Sequence, residues 1–348
     1  MSLLNPYTTA QVAFEFKREI GHEGKNSTVF VAHDKQLDAE IAVKKVAKPS
    51  LDVNVFFNEA KILYMSTHPN VVQVLYACQD NDFIYLALPF YANGSLRQLM
   101  QTRFLTVREI ISFGCNIASG LHNIHSKGLI HFDIKPDNVL LSDRWEGLLS
   151  DFGLSRPMNR VGEAEQDRLY AKMVPPEAFT QPAHGVAFDM YQFGMTLYRM
   201  CNGDDEFYRQ LDTFGKGANF DRHAFRHALV NGQFPDRSVF PDHIPARLRR
   251  VIKNCIDPEI PNRPKSAIEV ANELAQIDER LDWQYKVDSD TREWVMRRPD
   301  GMEYRLSVLP DGSSVATRGQ AGTKHAKMIA YTKTGIKTSE IQQFLKRQ

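Results

Sequence analysis

The sequence predicts an α+β fold: a β-rich N-terminal part with one helix, a mainly helical middle part, and a small C-terminal β-rich module. Three observations carry this. Residues from about Val12 to Leu88 read as short strands around one helical run, NVFFNEAKILYMS, in which Phe56, Ala60 and Leu63 share a face. From Thr106 to Ser126, residues Val107, Ile110, Ile111, Ile117, Leu121 and Ile124 recur at the spacing of a helix buried along one side. Beyond Asp282 the period changes to two: Trp283, Tyr285 and Val287 alternate with polar residues, as do Met302, Tyr304, Leu306 and Val308, and Pro-Asp-Gly turns recur at 299–301 and 310–312.

Composition bounds the rest. At 348 residues the chain exceeds one ordinary domain. Its 43% hydrophobic and 24% charged residues are those of a globular protein with a sizeable core. A net charge of +1 gives no reason for global attraction to nucleic acid or acidic membrane. The four cysteines, Cys78, Cys115, Cys201 and Cys255, form no C-x-x-C pair, which argues against a zinc site or a disulfide framework, and Cys115 and Cys255 are expected in the core. No basic start followed by an apolar run opens the chain, and no apolar segment approaches membrane-spanning length, so a cytoplasmic setting without a membrane partner is the default expectation.

In chain order, EIGHEGKNSTVFVAHD has the strand-loop-strand rhythm of a hairpin whose Gly21 and Gly24 let backbone amides approach phosphate oxygens. IAVK places Lys44 on the next strand. HPNVVQVLYA and FIYLALPFYANGSL supply two more strands and the crossing into the helical part. Thr106 with Glu109, and Ser266 with Glu269, read as capping boxes opening helices, the second ending near Leu281.

The chemistry gathers in two runs. GLIHFDIKPDNVLLS sets Asp133, Lys135 and Asn138 between aliphatic residues, as a polar site on a buried scaffold requires, and LLSDFGLS adds Asp151. Two carboxylates and an amide on neighbouring loops suit a hard divalent cation that shares its ligands with phosphate oxygens. A lysine beside them can neutralise a phosphoryl group in transit.

These runs resemble the catalytic loop H-R-D-x-x-x-x-N and the D-F-G turn of eukaryotic-type serine/threonine protein kinases. The resemblance covers about the first four fifths of the chain. It implies a bilobal protein-kinase-like fold over 1–282, with the N-lobe at about 12–88, a hinge at 89–91 and the C-lobe at 92–282, followed by the 283–348 module, in which no family is recognised. It also implies an ATP-dependent protein kinase that uses Mg2+ or Mn2+ and acts on protein substrates. Asp133 would be the catalytic base, with Lys135 beside the transferred phosphoryl group, and the Lys135 position favours serine or threonine as acceptor. Lys44, paired with Glu59, would hold the inner phosphates, and Asn138 and Asp151 the metal. Nucleotide contacts are implied at Gly21, Gly24, Ser27, Val29, Ala42, Lys44, Leu88, Pro89, Tyr91 and Leu140. Pro89 would contribute only its carbonyl and Tyr91 the hinge donor. Val174-Pro175-Pro176-Glu177 resembles the A-P-E motif, with Arg263 as partner of Glu177. Asp189 resembles the aspartate that holds the catalytic-loop backbone.

Three departures from the family pattern stand out. The glycine loop has Ser27 in the third glycine position and accommodates Gly21 only with a one-residue insertion. Tyr170 stands where a threonine is usual. Phe132 replaces the arginine of H-R-D, and a ring cannot pair with a phosphorylated activation segment. Residues 154–174 contain no threonine, and Ser155 and Tyr170 are their hydroxyls, so activity without activation-segment phosphorylation is expected, together with autophosphorylation. Rival readings are a catalytically dead scaffold, a small-molecule kinase of the same fold, and a binding module whose basic tail recruits nucleic acid, the kinase being secondary. That tail, with about 12 Lys and Arg against about 7 Asp and Glu, admits an acidic or nucleic-acid partner, but a solvated face is the favoured reading.

Overall fold

The computed structural model describes the chain except residues 1–10, 23–26, 49–60, 168, 170, 171 and 348. It separates into two compact units, Met1–Asn93 and Gly94–Gln348.

The first unit is an antiparallel sheet of β1 (Phe14–His22), β2 (Ser27–Asp34), β3 (Ala39–Ala47), β4 (Tyr76–Gln79) and β5 (Phe83–Pro89), in the order β1-β2-β3-β5-β4. Alternation decides its faces. Ile41 and Val43 bury with Ala32, Tyr85 and Ala87 on one side. Two aspartates shape the turns: Asp34 accepts the amides of Gln36 and Leu37, and Asp80 those of Asp82 and Phe83. Each also takes a tyrosine hydroxyl, from Tyr76 and Tyr85 respectively. Residues 61–65 are helical; the rest of the expected helix lies outside the described residues.

The second unit opens with α1 (Leu96–Thr102) and α2 (Val107–Ser126), each started by a complete capping box, Ser95 with Gln98 and Thr106 with Glu109. Short strands follow: β6 (Leu129–Ile130), β7 (Val139–Leu141), β8 (Gly147–Leu149), β9 (Arg156–Pro157), β10 (Ala164–Glu165) and β11 (Ala183–His184). Next come α3 (Val186–Asn202), α4 (Asp204–Leu211), α5 (Arg222–Val230), α6 (Ala246–Cys255) and α7 (Ala267–Ala275). Every residue of α3 from Phe188 to Asn202 is buried, so this helix forms the axis of the unit.

Two expectations need correcting. Ser266 makes no side-chain cap: Glu269 accepts the Lys265 amide instead, and α7 stops at Ala275, well before Leu281. Cys255 is buried, but Cys115 is only half-buried because it faces the α7 backbone at the rim of the α2 core face.

A second antiparallel sheet ends the chain: β12 (Gln284–Asp288), β13 (Thr291–Arg297), β14 (Met302–Val308), β15 (Ser314–Gln320) and β16 (Ala326–Lys327), strands in sequential order, closed by α8 (Thr338–Arg347). Gly301 and Gly312 take positive φ in the two Pro-Asp-Gly turns. Its core joins Trp283, Trp294, Tyr304 and Leu306 to Ile341 and Phe344. The sheet lies on the loops that join helices of its own unit. Tyr285 meets Phe104 at 4.9 Å, Arg292 pairs with Asp242 at 2.9 Å, and the Trp294 indole donates to Nδ1 of buried His243 at 3.2 Å. Among the described residues no helix is long and apolar enough to cross a membrane.

Candidate active site

The loop between β6 and β7 is held from below by one face of α3. Asp189 accepts the amides of His131 and Phe132, both at 2.8 Å, and the His125 ring at 2.8 Å. Three residues on, Gln192 accepts the Ile134 amide at 2.9 Å and donates to the Phe132 carbonyl at 3.0 Å; Thr196 reaches the Ile134 carbonyl at 3.3 Å. These bonds hold Phe132 at φ +68°, a conformation a bulky residue adopts only when its surroundings impose it. Burial works to raise the Asp189 carboxyl, but the His125 hydrogen bond, the neighbouring His125 and His131 imidazoles and the His131 amide hold it below its ordinary range. Burial in turn pushes His131 down, favouring the neutral ring, which packs on Phe152 at 4.7 Å.

On that platform Asp133, Lys135 and Asn138 come together. Asp133 is 4% exposed. Its Oδ2 receives Lys135 Nζ at 2.7 Å and Asn138 Nδ2 at 2.8 Å, and Nδ2 also donates to the Asp133 carbonyl. Its Oδ1 has no hydrogen-bond partner among the described residues. A buried carboxylate oxygen without a partner, beside one that takes two donors, has the capacity to accept a further hydroxyl. The Asn138 carbonyl accepts both the amide and the hydroxyl of Ser150, which ties this turn to the strand end carrying Asp151. Asp151 sits at φ +57° and accepts the Gly153 amide at 3.3 Å.

With its nitrogen committed to Asp133, Asn138 has its amide oxygen as remaining donor atom, and Asp151 adds a carboxylate. This all-oxygen pair suits Mg2+, which takes few protein ligands and fills its octahedron with water and phosphate. No group of three or more His, Cys, Asp or Glu that could cage a metal occurs among the described residues.

In the first unit, cross-strand pairing puts Val29 beside Lys44, and Val31 and Leu88 beside Ala42, so Val29, Ala42, Lys44 and Leu88 share one face, opposite the Ile41 and Val43 side. Lys44 is half-buried there. Gly21 pairs with Val29, and the ladder is irregular between Glu19 and Gly21. Ser27 pairs with Val46. Pro89 ends β5, Tyr91 is half-buried, and Leu140 sits half-buried on β7 of the second unit. Glu59 and Gly24 lie outside the described residues, as does Tyr170.

The family model of the protein kinase domain matches residues 14–276. The chain belongs to the protein kinase family. Similar to this kinase domain are the serine/threonine-protein kinase PKH2 of Candida albicans, 30% identical over 216 residues (56% of this chain, 22% of that protein), and the human serine/threonine-protein kinase ULK3, 32% identical over 191 residues (53% and 40%). PknD of Protochlamydia amoebophila, also a serine/threonine-protein kinase, is 23% identical over 319 residues (80% and 31%). The chain thus spans well under half the length of these relatives.

Sequence reasoning found Asp189 but missed the rest of its row. Gln192, Thr196 and Arg199 follow at helical spacing in an otherwise apolar run, which was the signal available. Arg199, 1% exposed, clamps Asp204 through Nε at 2.7 Å and Nη2 at 2.9 Å. Arg97 joins Asp204 to Asp137 of the catalytic loop, at 2.7 Å from the latter. The expected Glu177 to Arg263 pair is bidentate, at 2.6 and 2.8 Å, and buried.

Proposed function

We propose that this chain transfers the γ-phosphoryl group of ATP to serine or threonine hydroxyls of protein substrates, and that it autophosphorylates. The observation that carries the reading is the Asp133 carboxylate, with one oxygen saturated by Lys135 and Asn138 and the other open. Oδ1 would accept and orient the substrate hydroxyl, and the Lys135 ammonium would offset charge on the transferred group. Mg2+, held by Asn138 and Asp151, would supply neutralisation of the phosphate oxygens. Lys44 is assigned to the inner phosphates with Glu59 as its ion-pair partner, and Val29, Ala42 and Leu88 offer an apolar ledge for the adenine. Gly21, Gly24 and Ser27 are assigned to the phosphate-covering hairpin, and Pro89, Tyr91 and Leu140 to further nucleotide contacts.

We further infer that activity does not need a phosphorylated activation segment. Phe132 is fully buried, 5.0 Å from Phe188, in a cluster with Ile130 and Ala164 against which Leu154, Met158 and Leu169 pack. Apolar burial thus secures the segment where a phosphate-arginine pair would otherwise be needed. Ser155 is 1% exposed and donates to the His131 carbonyl, which makes it a poor acceptor of phosphate.

The test is radiolabelled ATP with Mg2+, the purified chain and a generic protein substrate. Asp133→Ala should lower labelling about 10²- to 10⁴-fold in a chain that circular dichroism shows to be folded; equal labelling by the variant refutes the assignment. Phosphatase treatment followed by mass spectrometry of residues 154–174 checks the second point, and loss of activity on dephosphorylating that segment rejects it.

A further inference from the structure

The C-terminal sheet carries its charge unevenly. The turns at one end hold Asp288, Asp290 and Asp311. The other end, where the 298–301 and 320–325 turns lie side by side, gathers Arg298, Arg318, Lys324 and Lys327 around one turn acid, Asp300, which accepts the Met302 amide at 2.9 Å. The Ala321 amide donates to the Gly301 carbonyl, so the two turns form one scaffold. Arg298 lies over the Tyr304 ring at 5.1 Å, and Arg318 is the cross-strand neighbour of the same tyrosine. Elsewhere on the sheet the cations are matched: Lys286 and Arg305 with Glu293, Arg297 with Glu303, and Arg292 with Asp242. Among the described residues no carboxylate lies within ion-pair distance of Arg318, Lys324 or Lys327, all of them exposed.

These cations flank a free strand edge. Two-residue β16 is the last strand of the sheet, Ala326 and Lys327 are both exposed, and Ile329, two residues on, is 85% exposed. Unpaired edge amides and carbonyls are a template for an added strand.

We propose that the β16 edge is a docking site for an extended acidic polypeptide segment, whose backbone pairs with β16, whose carboxylates meet Arg318, Lys324 and Lys327, and whose apolar side chain covers Ile329. Nucleic acid fits less well. Trp283, Tyr285, Trp294, Tyr304, Tyr331 and Phe344 are all buried in the core of the sheet and helix, so they offer no ring on which a base can stack. Binding at this edge is independent of phosphoryl transfer, and its failure leaves the catalytic assignment untouched.

The experiment uses the full chain and a fluorescein-labelled 12-residue peptide of alternating glutamate and valine, with a glutamine-valine peptide, a single-stranded oligothymidylate and a DNA duplex as comparators. The acidic peptide should bind at least tenfold more tightly than the glutamine peptide and than either DNA, and weaken at high salt. The triple variant Arg318→Glu, Lys324→Glu, Lys327→Glu should lose at least tenfold in affinity. Reversal of exposed Arg144, Lys253 and Lys265 should have little effect, with circular dichroism establishing that both variants fold. Equal binding by the triple variant overturns the proposal, as does equal binding of the glutamine peptide. DNA binding more tightly than the acidic peptide, and lost in the triple variant, replaces the polypeptide with nucleic acid.

Discussion

Phe132 shows how one side chain changes what a loop requires. A guanidinium at this position would stand among Ile130, Ala164, Phe188 and the His184 ring, in an apolar pocket built for a ring. Phe132→Arg should therefore destabilise the fold by about 3–5 kcal/mol, the usual effect of an uncompensated buried charge, whereas Phe132→Leu should cost about 1–2 kcal/mol by lost contact; urea titration of both variants distinguishes them. Asp189 is the opposite case, a buried charge with all its partners. Its folded pKa is depressed below the ordinary 3.8. Its stabilisation is thus present above that value and lost as pH falls through the lower folded one. Thermal midpoints taken from pH 6 to pH 3 should fall more steeply for the wild type than for Asp189→Asn, while the variant at pH 7 is weaker by about 1–3 kcal/mol because the His131 and Phe132 amides compete for one acceptor oxygen.

Helices in this kinase domain are set by their ends and by how closely they approach. The Thr106 box satisfies two amides at the start of α2, and Thr106→Ala should cost about 1 kcal/mol. Where α3 crosses α6 there is no room for a methyl group: a Cβ on Gly194 would lie 2.5 Å from Cys255 Cβ and 2.7 Å from Ile256 Cγ2. Gly194→Ala gains helix propensity yet should lose about 1–3 kcal/mol through overpacking, read as a lower thermal midpoint; an unchanged or higher midpoint would contradict this packing. The Thr106 box was legible because its residues lie three apart in one helix. The missing cap at Ser266 was not, since the Lys265 amide competed for the same Glu269 carboxylate.

At the scale of the molecule, the C-terminal sheet is structural support for the helices of its unit, whatever else it binds. Burial, helped by the nearby charges of Arg249 and Arg280, pushes His243 down to about 3. Its unfolded value is near 6.5, so stability is full above that pH and is lost progressively as pH falls from 6.5 toward 3. His243→Gln keeps an acceptor for the Trp294 indole without the titration, and should flatten the decline of thermal midpoint between pH 6.5 and 4.5. Truncation after Asp282 should lower the midpoint of the remaining chain and expose Phe104 and His243, detectable by dye binding; a truncated chain as stable as the full one would show the sheet to be dispensable.

The meeting of Asp133, Lys135 and Asn138, the Asp151 turn and the Glu177 to Arg263 pair were readable from sequence, because a few residues at short, fixed spacing determine the local backbone that presents them. So was the alternating sheet at the C-terminus. What only the tertiary structure decided was which groups remain open once neighbours are satisfied: the unpartnered Asp133 Oδ1, the burial of Phe132 against the activation segment, the α3 row that grips the loop, and the cations left unmatched at the β16 edge. Those depend on side chains tens of residues apart meeting in a close-packed interior, and spacing along the chain carries no record of such meetings.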